Sequence, residues 1–521
     1  MVLYRLLEYG TLPICDKEAL RCLGVDKLLY NSKFDISDYF TDDIAVLQRR
    51  SIVFGDALKV SGLYELLKKM TQRVSSISEI LRSESDIGDK ERSIFSAKQL
   101  QLYFEIIDEA EEYYSNLPEN AFSSEEFKQL FEQIHTIANS KEYIALKAGT
   151  HKLINKITHI KSISVGFNFD ARLSPVEMGI TSINDQYIQS GKLIDKILRM
   201  DFSAGALQAI EPIVAVDKTL PPNEFDLLQN SLLRAVDKLF TRAVRDWPRE
   251  FTKYIEDQLS FLLNLLSDFQ FILIVTEIHK KLMAAGVPMC VPNYRRKEER
   301  VFCAKRLYNP ALAIRMGESG ECGRIVGNDI EFDDNGRIYI LTGPNNGGKS
   351  VFMVSVGMAQ ILAQLGMLVP AERLDISPVD HLYVHFPEYQ TKEKMGRLED
   401  ECARVKGIFK TINEYSLCIF DETFSSTDSD EGCQLAFEVL RAIESFGAHA
   451  IFGTHFHHLV RLIDEAKAES DDCKGFDYLC AEIFGGKQRT YRITRSRPEG
   501  KSYASAIAEK YGLSYEKLMN Q

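Results

Sequence analysis

The residues Gly343-Pro344-Asn345-Asn346-Gly347-Gly348-Lys349-Ser350 satisfy every fixed position of the pattern G-x-x-x-x-G-K-[ST]. That spacing is phosphate chemistry. Glycines let the loop turn its backbone N–H groups inward as an anion nest. A helix beginning at the loop's end adds the positive end of its dipole. Lys349 is placed to neutralise the β- and γ-phosphates of a nucleoside triphosphate, and the Ser350 hydroxyl to ligate Mg²⁺. The context also fits, because the apolar run Ile338-Tyr339-Ile340-Leu341 enters as a strand and Val351-Phe352-Met353-Val354 leaves as a helix.

A second set of reactive residues follows about 70 positions later. Leu417-Cys418-Ile419-Phe420-Asp421-Glu422 is an apolar strand ending in two acids. A buried parallel strand has that continuous apolar character and presents functional groups at its carboxyl end. Asp421 is the candidate to hold Mg²⁺, and Glu422 the candidate to polarise an attacking water. Ser425 to Gly432 forms a polar turn before a helix. His455, in Gly453-Thr454-His455, follows the next strand and stands where a side chain can sense the γ-phosphate. His457 and His458 are expected to be ordinary surface histidines. Without paired thiols the cluster does not suggest a zinc site.

Positioning these groups takes an α/β domain with a central sheet, beginning near Val301. Its expected strands are Ile338–Leu341, His381–His385, Leu417–Phe420, Ala450–Gly453 and Thr490–Ile493. Helices are expected over Ser502–Glu509 and Tyr515–Met519. The preceding stretch of roughly 290 residues reads as an almost wholly α-helical arm. Helical spacing runs over Ala57–Met70, Ile94 to about Ser140, Asp226–Asp246 and Tyr254–Ala284, the last ended by Gly286 and Pro288. Ser75–Lys90 reads as a surface connection, and Leu117-Pro118-Glu119-Asn120 as a turn. Pro212, Pro221-Pro222 and Asn223 mark a linker. Within the arm, Ile163 to Asp170 alternates with period two and predicts a strand. It follows a helix bearing Lys147, Lys152, Lys156, His159 and Lys161, a basic face that either meets a phosphate backbone or is simply solvated.

Composition limits the remaining choices. The chain has 521 residues, 45% hydrophobic and 26% charged, with net charge −12. That balance argues against nonspecific nucleic-acid binding over the whole surface, so any such contact must come from local basic patches. Ten cysteines without a C-x-x-C pair read as reduced thiols, Cys418 and Cys290 within apolar segments. The amino terminus lacks a signal-peptide layout. The most apolar window, Leu259–Val275, reads as too short and too polar to cross a bilayer. An intracellular protein is expected: cytoplasmic, associated with the nucleoid if it binds DNA, or nuclear in a eukaryote.

These motifs together resemble the MutS family of DNA mismatch-repair ATPases, a branch of the ABC-type ATPases. Thr342 to Ser350 is similar to that family's TGPNMGGKS loop. The strand ending in Asp421-Glu422, the turn Ser426-Thr427 to Gly432, and Thr454-His455 resemble its DE, GTSTxDG and TH motifs. Asn328-Asp329-Ile330 looks like its NDI, and Gly500, Ser502-Tyr503 and Ile507-Ala508 its closing SYGIxVA helix, with Gly512-Leu513 after it. The resemblance covers about Leu307 to the C-terminus. It implies an N-terminal helical region over 1–95, a MutS-like helical core and lever over 96–295, and an ABC-type ATPase domain over 300–521. It also implies ATP and Mg²⁺ as ligands, a homodimer through the ATPase domains, DNA bound by structure rather than by sequence, and repair proteins as partners.

The departures are specific. The family's signature helix, STFMVEM, maps onto Gly396-Arg397-Leu398-Glu399-Asp400-Glu401-Cys402. Its serine, which in the family reaches the γ-phosphate held by the opposite subunit, is Gly396 here, while Glu401 is kept. The aromatic that stacks on adenine is Ile325, and Asp428 replaces a small hydroxyl residue. Members that detect mismatches carry an N-terminal wedge domain and a connector, for which roughly 290 residues of lever and core leave no room. The expectation is an ATP-gated clamp in which Lys349, Glu422 and His455 act on a nucleotide held by residues 343–350, Ile325 and the partner's signature helix. Candidate DNA contacts are Lys152, Lys156 and Lys161, or Arg295, Arg296, Lys297 and Arg300. The alternative is an interaction scaffold controlled by nucleotide and indifferent to DNA. A transporter ATPase subunit fits less well, because its LSGGQ signature is absent from the sequence.

Overall fold

The computed structural model describes residues 5–10, 14–29, 35–85, 93–158, 161–172, 175–187, 189–190, 208–209, 249–344, 346–386, 396–469, 473–484 and 488–498. The chain divides into two compact units, Met1–Arg5 with Gly62–Gln270, and Leu6–Ser61 with Phe271–Gln521. The linker near Pro221, the helix over Asp226–Asp246, the closing helices with their SYGIxVA-like residues, and Asn345 lie outside the described residues.

The second unit holds the site. Its main elements are β1 (Ile338–Thr342), α1 (Lys349–Gln364), β2 (His381–His385), α2 (Arg397–Ile408), β3 (Ser416–Asp421), α3 (Ser429–Ser445), β4 (His449–Gly453), α4 (His457–Glu469), β5 (Phe476–Phe484) and β6 (Gln488–Arg495). The sheet runs β2-β3-β4-β1-β5-β6. The first five strands are parallel and β6 closes the edge antiparallel to β5. All five expected strands are present within a residue or two, and β5 is an addition. Every residue of β1 and β3 is buried, as expected for strands covered on both faces. On one face Ile338, Ile340, Cys418, Phe420, Ala450 and Phe452 meet Phe437 and Leu440 of α3 and Leu459 and Ile463 of α4. Burying a side chain such as Phe420 stabilises the fold by roughly 1.5–3 kcal/mol.

α1 is buried along nearly its whole length. Part of its cover comes from the start of the chain, contrary to the expectation of a separate 1–95 region. The helix Lys17–Leu23 approaches so closely that a Cβ on Gly357 would lie 2.8 Å from Leu23 Cδ2. The Leu382 N–H donates to the Ile14 carbonyl at 2.7 Å, which covers the free edge of β2. Glu18 pairs with Arg404 of α2. The Ser51 hydroxyl donates to the Gly366 carbonyl at 2.7 Å, and Gln364 reaches the carbonyls of Thr41 (3.4 Å) and Val379 (3.0 Å). Leu6–Ser61 is therefore a layer of the second unit, and the expected boundary at residue 95 falls inside the first.

A smaller sheet of the same unit orders Asn293–Tyr294, Arg373–Ile376, Phe302–Leu307 and Asn328–Phe332. The sequence reading proposed no strand there. A bulge between Ala304 and Leu307, with Arg306 at φ 47°, breaks the alternation that would have shown one.

In the first unit the helices Leu63–Ser85, Ser93–Ser115, Glu125–Ala138 and Lys141–Thr158 pack around Phe127, Leu130, Phe131 and Ile134. Phe122 stacks on Phe131 at 5.1 Å. Two helical expectations need correction. The single helix expected over Ala57–Met70 is broken, because Ile44–Lys59 ends and Gly62 takes φ 78° before the next helix starts. The connection expected from Ser75 is helical to Ser85, since Val74 and Ile77 keep their apolar spacing and are buried. The expected strand at Ile163 is present as Ser162–Phe169 and pairs antiparallel with Pro175–Asn184, so the arm is not purely helical.

The helix Arg249–Ala284 is longer than expected. By length and composition its segment Asp257–Ala284 could cross a membrane, which corrects the reading of that window as too short. In the fold 61% of its most apolar window is buried, the character of a core helix.

Candidate nucleotide site

The sheet register assembles the site. Asp421 at the end of β3 pairs with Gly453 of β4, and Gly453 with Leu341 of β1, so three carboxyl ends lie level. The phosphate loop, the acids and His455 leave the sheet side by side there, at the place where open α/β sheets bind ligands. The loop needs its glycines. Gly343 has φ 140° and Gly348 φ 96°, and a Cβ on Gly343 would sit 2.6 Å from the Ala481 Cβ. Gly348 caps α1, which begins at Lys349, and Asn346 takes the left-handed region at φ 58°.

Lys349 is 5% exposed and donates to the carbonyls of Gly343 (2.9 Å) and Pro344 (3.3 Å). Burial holds its pKa below the usual lysine value, against the opposing pull of Glu422 and Asp421. Its Nζ stands 3.2 Å from His455 Nε2, and the same nitrogen lies 2.9 Å from Glu422 Oε1. One ring nitrogen cannot accept from Lys349 and donate to Glu422 at once, so His455 serves one or the other according to its tautomer.

The Ser350 hydroxyl donates to Asp421 Oδ2 at 2.5 Å. Asp421 Oδ1 is buried with no hydrogen-bond partner. Burial, reinforced by the neighbouring Glu422 charge, raises the Asp421 pKa, with Ser350 and Lys349 opposing. A buried carboxylate with an empty acceptor beside a hydroxyl suits a divalent cation. Among the described residues no group of three or more His, Cys, Asp or Glu side chains could hold a metal alone. The pair fits Mg²⁺, which commonly takes one or two protein oxygens and completes its shell with phosphate and water.

A cleft of about 1140 Å³ extends from this point, lined by the loop, Asp421 and Glu422 together with Arg315, Ile325, Asn328 and Tyr491. Ile325 is thus brought to the cleft. Gly396 is not among its lining residues; it caps α2 with φ −64°, and a Cβ there would meet nothing within 4 Å. Asp428 has a role the motif comparison did not suggest, capping α3 by accepting the Asp430 N–H at 2.9 Å.

The sequence reading missed Tyr491. The residue is 48% exposed, and its Cδ1 lies 3.6 Å from where a Cβ on Gly348 would be. Asn328 places it, donating to the Tyr491 carbonyl (3.2 Å) and accepting from the Ile493 N–H (2.8 Å). Tyr491 has φ 58°, so it leaves the strand alternation that would have marked its face. Only the strand itself was visible as a signal.

The candidate DNA contacts are placed less favourably. Arg295 reaches Asp375 at 3.3 Å, Arg296 reaches Glu299 at 3.2 Å, Lys297 pairs with Asp42 and Asp380, and Arg300 donates to the Gly447 carbonyl. Lys147 is paired with Asp108, and Lys161 lies 5.7 Å from the centre of the Tyr187 ring. The side chains of Lys152 and Lys156 lie outside the described residues.

Residues 339–514 match the family model of MutS domain V. The chain is 24% identical over 446 residues to the DNA mismatch repair protein MutS of Caldicellulosiruptor bescii, covering 78% of this chain and 47% of that protein. It is 30% identical over 200 residues to the Endonuclease MutS2 of Shouchella clausii, covering 38% and 24%. With the Endonuclease MutS2 of Staphylococcus aureus it shares 29% over 221 residues, covering 42% and 28%. The chain therefore spans less than half the length of these curated relatives.

Proposed function

We propose, from the premise that this chain is a MutS-family protein, that it hydrolyses ATP in the cleft beneath residues 343–350 and uses the cycle to open and close a DNA clamp. Proteins of this family are ATPases that use ATP and Mg²⁺ and act as dimers on DNA. The observation that carries the reading is the level alignment of Lys349, Ser350, Asp421, Glu422 and His455 at three adjacent strand ends.

In this reading the loop N–H groups and Lys349 bind the triphosphate, and the Lys349 ammonium exchanges its two carbonyl partners for phosphate oxygens. Ser350 and Asp421 would hold Mg²⁺, which would supply positive charge to stabilise the phosphate oxygens. Glu422 orients the water for in-line attack, and His455, released from Glu422, faces the γ-phosphate. Ile325 and Tyr491 offer apolar and aromatic surface to the base. Two copies meet through their ATPase domains, with Gly396 and Arg397 of one approaching the phosphates of the other.

Glu422→Gln tests the chemistry. It should bind ATP with wild-type affinity while turnover falls about a hundredfold to a thousandfold, the range for losing one catalytic polar group. Wild-type turnover in that variant removes Glu422 from the mechanism. A second reading, the nucleotide-controlled scaffold, draws on the internal partners of Arg295, Arg296, Lys297 and Arg300. DNA affinity measured across salt, with ATP and with ADP, separates the two. A clamp binds with a steep negative salt slope that depends on nucleotide, and a scaffold shows none.

A further inference from the structure

The turn that carries Glu422 is strained. Glu422 has φ 50° and Phe424 φ 65°, left-handed backbone that non-glycine residues adopt only when their surroundings enforce it. Four contacts enforce it here. The Glu422 N–H donates to the Gly453 carbonyl at 2.8 Å. The Thr423 hydroxyl meets His385 Nδ1 at 2.8 Å, both side chains buried. The Phe424 carbonyl presses on α3, where a Cβ on Gly432 would come within 2.6 Å of its oxygen. The Phe424 N–H donates to Glu401 Oε2 at 2.9 Å.

The last contact differs in kind from the others. Glu401 is 5% exposed, and its other oxygen has Arg397 at 3.5 Å, on the outer side of the same helix. Burying a carboxylate to accept one backbone N–H is an expensive way to hold a turn. It also ties the turn to α2, whose first residues follow Gly396, whereas the other three contacts come from β4, β2 and α3.

We propose that Glu401 is a positioning residue for hydrolysis: it fixes the left-handed backbone at Phe424, so that the seat of α2 sets the aim of Glu422. The inference rests on the reading of Glu422 as the water-orienting group. It extends that reading by giving the helix that would face a partner's nucleotide a direct mechanical connection to the hydrolytic side chain of its own subunit.

Two substitutions separate reach from charge. Glu401→Gln keeps an oxygen at the same distance from the Phe424 N–H, while Glu401→Asp keeps the charge and withdraws the oxygen by about 1.5 Å, one carbon–carbon bond. Both are to be measured in the full chain for ATP turnover, affinity for a nonhydrolysable ATP analogue, and thermal unfolding. Glu401→Asp should lower kcat about tenfold to a hundredfold, the scale of a 1 Å misplacement, with analogue affinity within about threefold of wild type. Glu401→Gln should stay within about threefold of wild type in both. Equal impairment of the two variants, or loss of affinity and unfolding temperature in step with kcat, would overturn the proposal. So would wild-type turnover in Glu401→Asp. Glu422→Gln is the control: if it turns over normally, the underlying reading has failed, whereas an inactive Glu422→Gln beside a normal Glu401→Asp discards the role of Glu401 alone.

Discussion

The charged and the apolar parts of the proposed nucleotide cleft follow different rules. In the charged part, proposed to take the phosphates, every residue type is dictated by charge: Lys349, His455 and Glu422 form one chain of polar contacts, and the Ser350 hydroxyl donates to Asp421. In the apolar part the family's aromatic position holds Ile325, and a tyrosine from another strand lines the same cleft. Phosphate chemistry admits few substitutes for an ammonium, a hydroxyl and a carboxylate. A base needs only flat or apolar surface, which side chains from several positions can supply. In the proposed reading departures from the family pattern matter most where charge is handled, so Gly396 is expected to have more mechanistic consequence than Ile325.

The largest effect should come from the charged part. Lys349→Ala is expected to weaken ATP binding by about a hundredfold and to reduce turnover about a thousandfold, since a charge-assisted contact to phosphate is lost at the reacting group. Calorimetric titration with ATP checks it, and wild-type affinity would break the contrast between the two parts.

Next is acid sensitivity, also in this part. His385 meets Thr423 in the turn that carries Glu422, is 2% exposed, and burial together with the Arg404 charge pushes its pKa down to about 4 from 6.5. As pH falls below 6.5 the unfolded chain takes up the proton first. The stability contributed by neutral His385 is complete above pH 6.5, declines between 6.5 and 4, and is flat below. At pH 5 the loss is about 2 kcal/mol. Urea unfolding of wild type and His385→Gln at pH 7 and pH 5 should show the acid-induced drop shrinking by that amount in the variant.

In the apolar part Tyr491→Ala should cost about tenfold in nucleotide affinity, the lower part of the range for stacking a base on an aromatic ring. ATP and GTP should both weaken, because Ile325 and an aromatic face carry little base specificity. A change in kcat at constant affinity would move Tyr491 from base packing to the chemistry.

The smallest structural effect sharpens the comparison most. Gly396→Ser places a hydroxyl where a Cβ meets nothing within 4 Å, and serine exceeds glycine as a helix cap by only a few tenths of a kcal/mol. Stability should hardly change. A rise in turnover that grows with protein concentration would support completion of the site by a second copy, while unchanged turnover would show that Arg397 or the backbone already supplies the contact.

The charged cluster was legible in the sequence because each of its members sits in a motif of fixed spacing beside an apolar strand. Asp421 and His455 needed only the recognition of β3 and β4, both continuous apolar runs. What stayed hidden depended on distant pairing or on local backbone. Tyr491 is aimed by Asn328, 163 positions away, and by a left-handed φ that no composition signals. Glu401 was noted as retained, but the N–H it receives from Phe424 could not be inferred. β5 was missed because Asp477 and Glu482 interrupt its apolar residues. The role of Leu6–Ser61 was hidden for the same reason as Tyr491, since its partners in α1, β2 and α2 lie hundreds of residues downstream.

That last arrangement has a consequence for how the protein is made. The segment Leu6–Ser61 is synthesised well before its partners, since the surfaces that bury Leu20, Leu23, Leu47 and Phe54 belong to a unit whose chain resumes only at Phe271. For the synthesis of roughly 200 intervening residues its apolar face has no permanent cover, and the edge of β2 is equally bare once made unless Ile14 is waiting for it. Such delayed long-range docking is slow and open to aggregation. Expressing residues 300–521 alone should therefore give an insoluble product, and supplying 6–61 as a separate peptide during refolding should raise the soluble yield.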